Sequence, residues 1–300
     1  MKMHADDVDV DVRLVRGLLA AQFPEWSRLP VEPVLLRGTD NALYRLGKDM
    51  VVRLPRTDAT SARLEHEREW LPRLAPLLPL RVPRPLAAGK PAAGYPFTWS
   101  VYSWLEGENA TPARIADPRR SAIDLARFIA ALQRVDPTGG PPPGEVNSFR
   151  GEPLANRDEG VRVAIATLGT AVDADAVTAA WKAALAAGEW EGRPVWVHGD
   201  LDSRNLLVWD GTLGAVLDFG CLAVGDPACD VMVAWKVLSA VTRDSFRQAL
   251  SVDDATWARG RGWALSQALG ALAYYTLETN AVLVREAERW LVEVLADPGV

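Results

Sequence analysis

The run VWVHGDLDSRNLLVWDGTLGAVLDFG, residues 195–220, decides the fold. Val195-Trp196-Val197 is an apolar run of strand length that ends at His198. Leu206 to Trp209 and Leu213 to Leu217 flank Asp210-Gly211, and Asp-Gly between apolar runs is the strongest short-range hairpin signal. Polar residues fall only at the strand mouths: Asp200 and Asn205 before the hairpin, Asp218 after it. The pattern predicts two carboxylates and an amide delivered to one place on a rigid support.

The spacing is that of a phosphoryl-transfer loop. Kinases use H-R-D-x-x-x-x-N and then D-F-G. Here His198-Gly199-Asp200 is followed by Asn205 at the same offset, and Asp218-Phe219-Gly220 closes the hairpin. The chemistry needs these residue types. One carboxylate takes the proton of the attacking hydroxyl, while an amide oxygen and a second carboxylate hold Mg²⁺ against a triphosphate.

With Gly225-Asp226-Pro227-Ala228-Cys229-Asp230 following, the chain resembles the aminoglycoside phosphotransferase family of kinase-like small-molecule phosphotransferases. Gly199, in place of arginine, favours that family over the protein kinases. The resemblance covers most of the chain from about Gly38 onward and is sharp between Val195 and Asp230. It implies an α+β, bilobal protein-kinase-like fold: a small antiparallel-sheet N-lobe with one main helix, and a larger, mostly helical C-lobe carrying the catalytic hairpin. It also implies Asp200 as catalytic base, Asn205 and Asp218 as metal ligands, and His198 and Asp230 as structural supports of the loop. The short run from Gly220 to Asp226-Pro227 leaves no room for a long activation loop, and no A-P-E follows.

Composition sets bounds around this reading. A 300-residue chain with 49% hydrophobic and 24% charged residues has ample material for a core in one or two domains. A net charge of −6 with no basic stripe argues against a nucleic-acid surface and suits a cationic substrate. The N-terminal MKMHADDVDVDV lacks the apolar core of a signal peptide, and no apolar run is long enough to span a membrane. Cys221 and Cys229 form neither a CxxC nor a zinc pattern, which fits unpaired thiols in a reducing cytoplasm. Nothing indicates an obligatory protein partner. The twelve tryptophans are spread along the chain and read as core residues.

Ahead of the decisive stretch, Val8 to Gln22 has helical spacing, and Val34–Arg37, Leu43–Leu46 and Met50–Leu54 read as three antiparallel strands with a turn at Gly47-Lys48-Asp49. The loop Gly38-Thr39-Asp40-Asn41-Ala42 sits where kinase folds cover the nucleotide phosphates, and Asn41 is a candidate side-chain donor. A plain hairpin loop would have the same composition. Arg53 occupies the place of the kinase strand lysine; the alternative is an exposed arginine on an edge strand. Between Thr57 and Leu74, helical spacing puts Leu64, Glu67, Leu71 and Leu74 on one face. Glu67 is the acid among apolar neighbours and hence the predicted partner of Arg53. Glu65 and Glu69 fall on the surface, and Pro72 is expected to kink or restart the helix.

Val82–Leu86 and Pro96–Leu105 complete the small sheet. The resemblance places the purine-binding hinge at Ser103, Trp104 and Leu105, and the lobe boundary near Glu106, giving domains 1–106 and 107–300. Helices are expected from Asp117-Pro118 to about Val135, over Arg157–Leu168 and Asp175–Ala187, from Asp226-Pro227 through Leu238, and over Trp257–Thr276 and Ala281–Ala296. A polycationic acceptor would need carboxylates near Asp200; the candidates are Glu152, Asp158, Glu159 and Glu278.

The implied activity is ATP- or GTP-dependent, Mg²⁺-dependent O-phosphotransfer to a hydroxylated small molecule, with an aminoglycoside-like antibiotic as the leading acceptor. A metabolite kinase is the first alternative, acting on an amino alcohol or sugar derivative. A nucleotide-binding module without catalysis is the second, motivated by Arg53 and the glycine-poor loop.

Overall fold

The computed structural model describes residues 8–34 and 41–297. Over these residues the chain divides into two compact units. The first holds residues up to Pro76, Arg81–Glu106 and the short return Val216–Gly220; the second holds Leu77–Leu80, Gly107–Ala215 and Cys221 onward.

The first unit is built on an antiparallel sheet. Helix α1 (Val12–Gln22) is capped by Asp11, whose carboxylate accepts from Leu14 N at 2.7 Å. Strands β1 (Val31–Pro33), β2 (Asn41–Leu46) and β3 (Met50–Pro55) follow, then α2 (Asp58–Leu74), β4 (Pro85–Gly89) and β5 (Trp99–Ser103). Among the described residues the sheet order is β1-β2-β3-β5-β4, with antiparallel neighbours throughout. Alternation sets the faces: Ala42, Tyr44 and Leu46 of β2 point inward, as do Val52 and Leu54 of β3, against Val15, Leu18 and Leu19 of α1.

Three expectations shift here. The first helix begins at Val12 instead of Val8, because Val8 is extended and donates its N–H to Arg56 O. The first described strand is Val31–Pro33, ahead of the predicted Val34–Arg37; Pro30 and Pro33 argue against a strand, yet an edge strand tolerates proline. The remainder of that predicted strand and residues 38–40 of the predicted phosphate loop lie outside the described residues. Helix α2 runs through Pro72 to Leu74, Pro72 lying in its final turn, and a 3-10 turn over Ala75–Leu77 follows directly. Its cap is Thr57 and its buried face is Thr60, Leu64, Glu67, Leu71 and Leu74.

In the second unit, β6 (Glu108–Asn109) leads to α3 (Pro118–Gln133), whose cap Asp117 accepts from Arg120 N at 2.9 Å. Then come α4 (Asp158–Leu168), α5 (Ala174–Leu185), β7 (Val195–Val197) and the hairpin β8 (Leu206–Trp209) and β9 (Thr212–Val216). The hairpin turn places Asp210 at φ 48° and Gly211 at φ 72°, the two left-handed positions that the Asp-Gly pair favours. β10 (Ala223–Gly225), absent from the sequence reading, pairs antiparallel with β7.

The helix expected from Asp226-Pro227 to Leu238 is two single turns, α6 (Ala228–Val231) and α7 (Val233–Lys236), joined at Met232. Helix α8 (Ala240–Leu250) was not expected; its buried face is Thr242, Arg243 and Phe246, too polar to give an apolar stripe. α9 (Asp254–Tyr274) and α10 (Leu277–Ala296) end the chain, α10 being non-helical at Asn280. α9 is the axis of this unit and packs against α4, α5, α6 and α10. Trp181, Trp235, Trp257, Trp263 and Trp290 are all buried. No helix among the described residues is long and apolar enough to cross a membrane.

Candidate active site

The loop after β7 is held by one buried carboxylate. Asp230, wholly buried on α6, accepts from His198 N at 2.7 Å and Gly199 N at 2.8 Å. Burial pushes its carboxyl above the usual range, opposed by His198 and the two amides. Gly199 sits at φ +81°, and a Cβ there would lie 2.6 Å from Cys221 O and 2.8 Å from Arg150 Cβ. Only glycine fits the turn, which explains the second residue of the His-Gly-Asp run.

That turn sets Asp200 at the strand mouth. Its N–H donates to His198 Nδ1 at 3.2 Å. Asn205 Nδ2 donates to Asp200 O at 2.9 Å and to Asp200 Oδ2 at 3.3 Å, so the structure brings together these two sequence-predicted residues. The Asp200 side chain keeps 27% exposure and is thus open to a ligand, unlike its loop neighbour Asp202, which is fully buried. Burial opposes ionisation of Asp202, yet the Arg204 guanidinium and Lys236 ammonium overcome it and bring its carboxyl down to about 2. Two cations that sequence reasoning missed flank Asp200 Oδ1: Arg150 Nη2 and Lys236 Nζ, each at 3.9 Å.

The first unit carries the other half of the predicted constellation. Arg53 of β3 grips Glu67 of α2 through one nitrogen, at 2.7 Å to Oε1 and 2.9 Å to Oε2. Its Nη2 lies 3.5 Å from Asp218 Oδ1, and its guanidinium stands 5.2 Å from the Tyr102 ring centroid. Burial disfavours the Arg53 charge, but Glu67 and Asp218 more than restore it and raise its pKa. Glu67 is fully buried, and that burial raises its pKa against the pull of Arg53. Asp218 is at φ 60°, a left-handed position that costs most side chains energy but that aspartate tolerates.

Asn41 begins β2, and its Oδ1 is buried without a hydrogen-bond partner among the described residues. At the end of β5, Ser103 N donates to Arg84 O at 2.9 Å and Trp104 N to Asp49 O at 2.7 Å. Both amides of this predicted hinge are therefore engaged, while Leu105 follows in irregular backbone. Trp104 lies under Arg45, 4.1 Å from guanidinium to ring centroid.

Of the predicted acceptor residues, Asp158 is already engaged: its Oδ2 accepts from Arg162 Nε at 2.8 Å and its Oδ1 from Trp181 Nε1 at 2.7 Å. Glu152 faces Arg157 at 3.6 Å. Glu278 is exposed in the first turn of α10.

The model of the phosphotransferase enzyme family matches residues 33–263. The chain belongs to this family. No curated protein shows significant similarity to the chain. Among solved structures, the GDP complex of aminoglycoside 2'-phosphotransferase-IIIa superposes with a TM-score of 0.74 at 19% identity, covering 96% of this chain and 99% of that one. A GDP and kanamycin complex of an aminoglycoside 2''-phosphotransferase gives 0.71 at 20% identity, covering 95% and 99%. The macrolide 2'-phosphotransferase of Brachybacterium faecium gives 0.60 at 24% identity, covering 90% and 98%. The kinase-like α+β fold is thus that of the phosphotransferase family, and the protein is a phosphotransferase.

One signal would have found two of the missed residues of this family member. Lys236 is a lone charge in the apolar run Val233–Leu238, the same signal that singled out Glu67. Arg259, which pairs with buried Asp226 at 2.8 Å, likewise interrupts an inward-facing helical stripe beside Trp263. Arg150 follows an irregular Pro/Gly loop and carries no such signal.

Proposed function

We propose that the protein transfers the γ-phosphate of ATP or GTP, with Mg²⁺, to a hydroxyl of a small molecule, an aminoglycoside-like antibiotic being the leading acceptor. The observation that carries this reading is the loop itself: Asp230 fixes it, and Asn205 closes onto a partly open Asp200. In this assignment Asp200 accepts the acceptor's hydroxyl proton as the new O–P bond forms. The bond from the γ-phosphorus to the bridging oxygen breaks, and the nucleoside diphosphate leaves. Residues 1–106 carry the nucleotide and residues 107–300 the base and acceptor. Arg53, held by Glu67, pairs with phosphate oxygens; Asn41 lies beside the phosphates and Ser103–Leu105 beside the purine. With the amides of Ser103 and Trp104 engaged, the purine edge meets the Leu105 N–H and the carbonyls.

The donor set fits Mg²⁺. Asn205 and Asp218 offer an amide oxygen and a carboxylate, hard ligands that leave the remaining octahedral positions to water and phosphate. No group of three or more His, Cys, Asp or Glu side chains able to hold a metal occurs among the described residues. When bound, the ion would neutralise charge on the transferring phosphoryl group. Asn205→Ala and Asp218→Ala are each expected to weaken nucleotide binding in the presence of Mg²⁺ and to leave metal-free binding near the wild-type value. Calorimetric titration with and without the metal checks this; unchanged metal dependence in both variants removes them as ligands.

The Arg53–Glu67 pair gives a second test. Arg53→Ala removes the phosphate contact, and Glu67→Ala frees the arginine to swing from it. A double-mutant cycle on kcat/KM is expected to be non-additive by about 0.5–3 kcal/mol. Additive losses would mean that the pairing does not serve catalysis.

The nature of the relatives supports an antibiotic acceptor: solved neighbours include complexes with kanamycin and gentamicin. A cellular metabolite, an amino alcohol or sugar derivative, is the second reading, favoured over a polycation by Asp158 and Glu152 already facing arginines. Incubation with γ-labelled ATP and GTP against antibiotics and metabolite alcohols decides the acceptor. Nucleotide binding without any turnover would instead leave a non-catalytic module. The need for ATP or GTP supports the cytoplasm as its place of action.

A further inference from the structure

An ammonium taken out of water must find acceptors, and stability alone is served as well or better by an apolar residue of the same volume. Lys236 of α7 is wholly buried. Its Nζ donates to Gln267 Oε1 of α9 at 3.0 Å and stands 4.5 Å from the Trp290 ring centroid of α10. It also lies 3.8 Å from Asp202 Oδ2 and 3.9 Å from Asp200 Oδ1. Three helices thus converge on one charge, and that charge is aimed at the loop.

Arg204 is the first neutralising partner of Asp202, and Lys236 adds to it. Arg204 already binds it through backbone N at 2.8 Å and through its guanidinium. What Arg204 leaves unsolved is the repulsion between two carboxylates two residues apart in the same loop. Asp202 is locked and buried, whereas Asp200 is 27% exposed, so the pair would relax by Asp200 swinging toward water. An ammonium within 3.9 Å of both removes that drive.

We propose that Lys236 is a positioning residue for phosphotransfer: its buried ammonium ties Asp200 to the fixed Asp202 and keeps Asp200 in reach of the acceptor. Gln267 aims the ammonium, and Arg150 restrains the same Asp200 oxygen from the opposite chain segment. The proposal rests on Asp200 as the base, and the experiment separates the two.

Turnover of ATP and GTP with Mg²⁺, transferring the γ-phosphate to water, is measured for the wild type, Lys236→Met, Asp200→Asn and the double variant. Lys236→Met is expected to lower kcat about 10–10²-fold, the cost of misplacing a reacting group by about 1 Å, with nucleotide KM within about twofold. In the Asp200→Asn background the same change is expected to cost nothing further, because the lysine acts only through Asp200. Equal losses in both backgrounds, or a change in KM alone, overturn the proposal. If Lys236→Met does not fold, Gln267→Leu keeps the charge but loses its aim, and a smaller loss with the same background dependence is expected. If Asp200→Asn alone keeps full turnover, the base assignment fails, and with it the route by which Lys236 acts. If the wild type transfers γ-phosphate from neither nucleotide to water, water is not an acceptor and the rate gives no readout. Amide hydrogen exchange then decides: selectively faster exchange across Gly199–Asn205 in Lys236→Met supports the tether, and unchanged exchange overturns it.

Discussion

Asp200→Asn is expected to lower kcat for γ-phosphate transfer by about 10²–10⁴-fold, the range of a general base, while nucleotide affinity and melting temperature stay near the wild-type values. The substitution keeps size and shape. Two of the three hydrogen bonds that fix the residue are made by its backbone: the N–H to His198 Nδ1 and the carbonyl that accepts from Asn205. Neither changes with the side chain. The lost charge leaves Arg150 and Lys236 facing an amide, but Lys236 retains Asp202 and Gln267 and so is not stranded. Single-turnover transfer with labelled nucleotide, run beside a thermal melt, reads the two effects separately. A variant that transfers phosphate near the wild-type rate would remove Asp200 from the chemistry. One that is inactive because it has unfolded would show itself in the melt.

How far the site was legible follows from how each residue is specified. His198, Asp200, Asn205 and Asp218 stand at strand ends in a chain-local pattern, and local pattern survives into sequence intact. Glu67 was legible for a related reason. An acid at i+3 from Leu64 and i+4 before Leu71 is buried by its helix, and a buried acid needs a cation, which Arg53 supplies. Lys236 gives the mirror-image signal in the turns after Asp230, yet its partners lie 34 and 36 residues back in the chain, and no spacing rule joins them. Arg259 and Asp226 meet in the same non-local way.

Fold elements failed where the usual pattern was overridden. β1 contains proline and survives as an edge strand. β10 reads only Ala-Val-Gly and is defined by its partner β7. α8 buries Arg243 instead of an apolar residue, because Ala234 O and Glu293 satisfy its guanidinium. In each case a tertiary partner supplies what local propensity lacks.

Asp230 is where the non-local part of the site is most exposed to test. Two backbone amides, His198 N and Gly199 N, end on its carboxylate inside a region that water does not reach. Asp230→Ala leaves both donors unsatisfied, at about 1–3 kcal/mol each, so a loss of about 2–6 kcal/mol is expected. At roughly 2–4 °C per kcal/mol, the melting temperature should fall by roughly 10 °C. Asp230→Asn is not a rescue. Its single amide oxygen can accept from one N–H, and its NH₂ group then faces the other, so at least half of the loss should remain. Activity should drop in both variants even below the melting transition, because the turn at Gly199 that sets Asp200 has lost its anchor. Urea denaturation and turnover measured on the same samples check this. An alanine variant as stable as the wild type would mean that other groups hold the loop, and that Asp230 only accompanies the His-Gly-Asp turn.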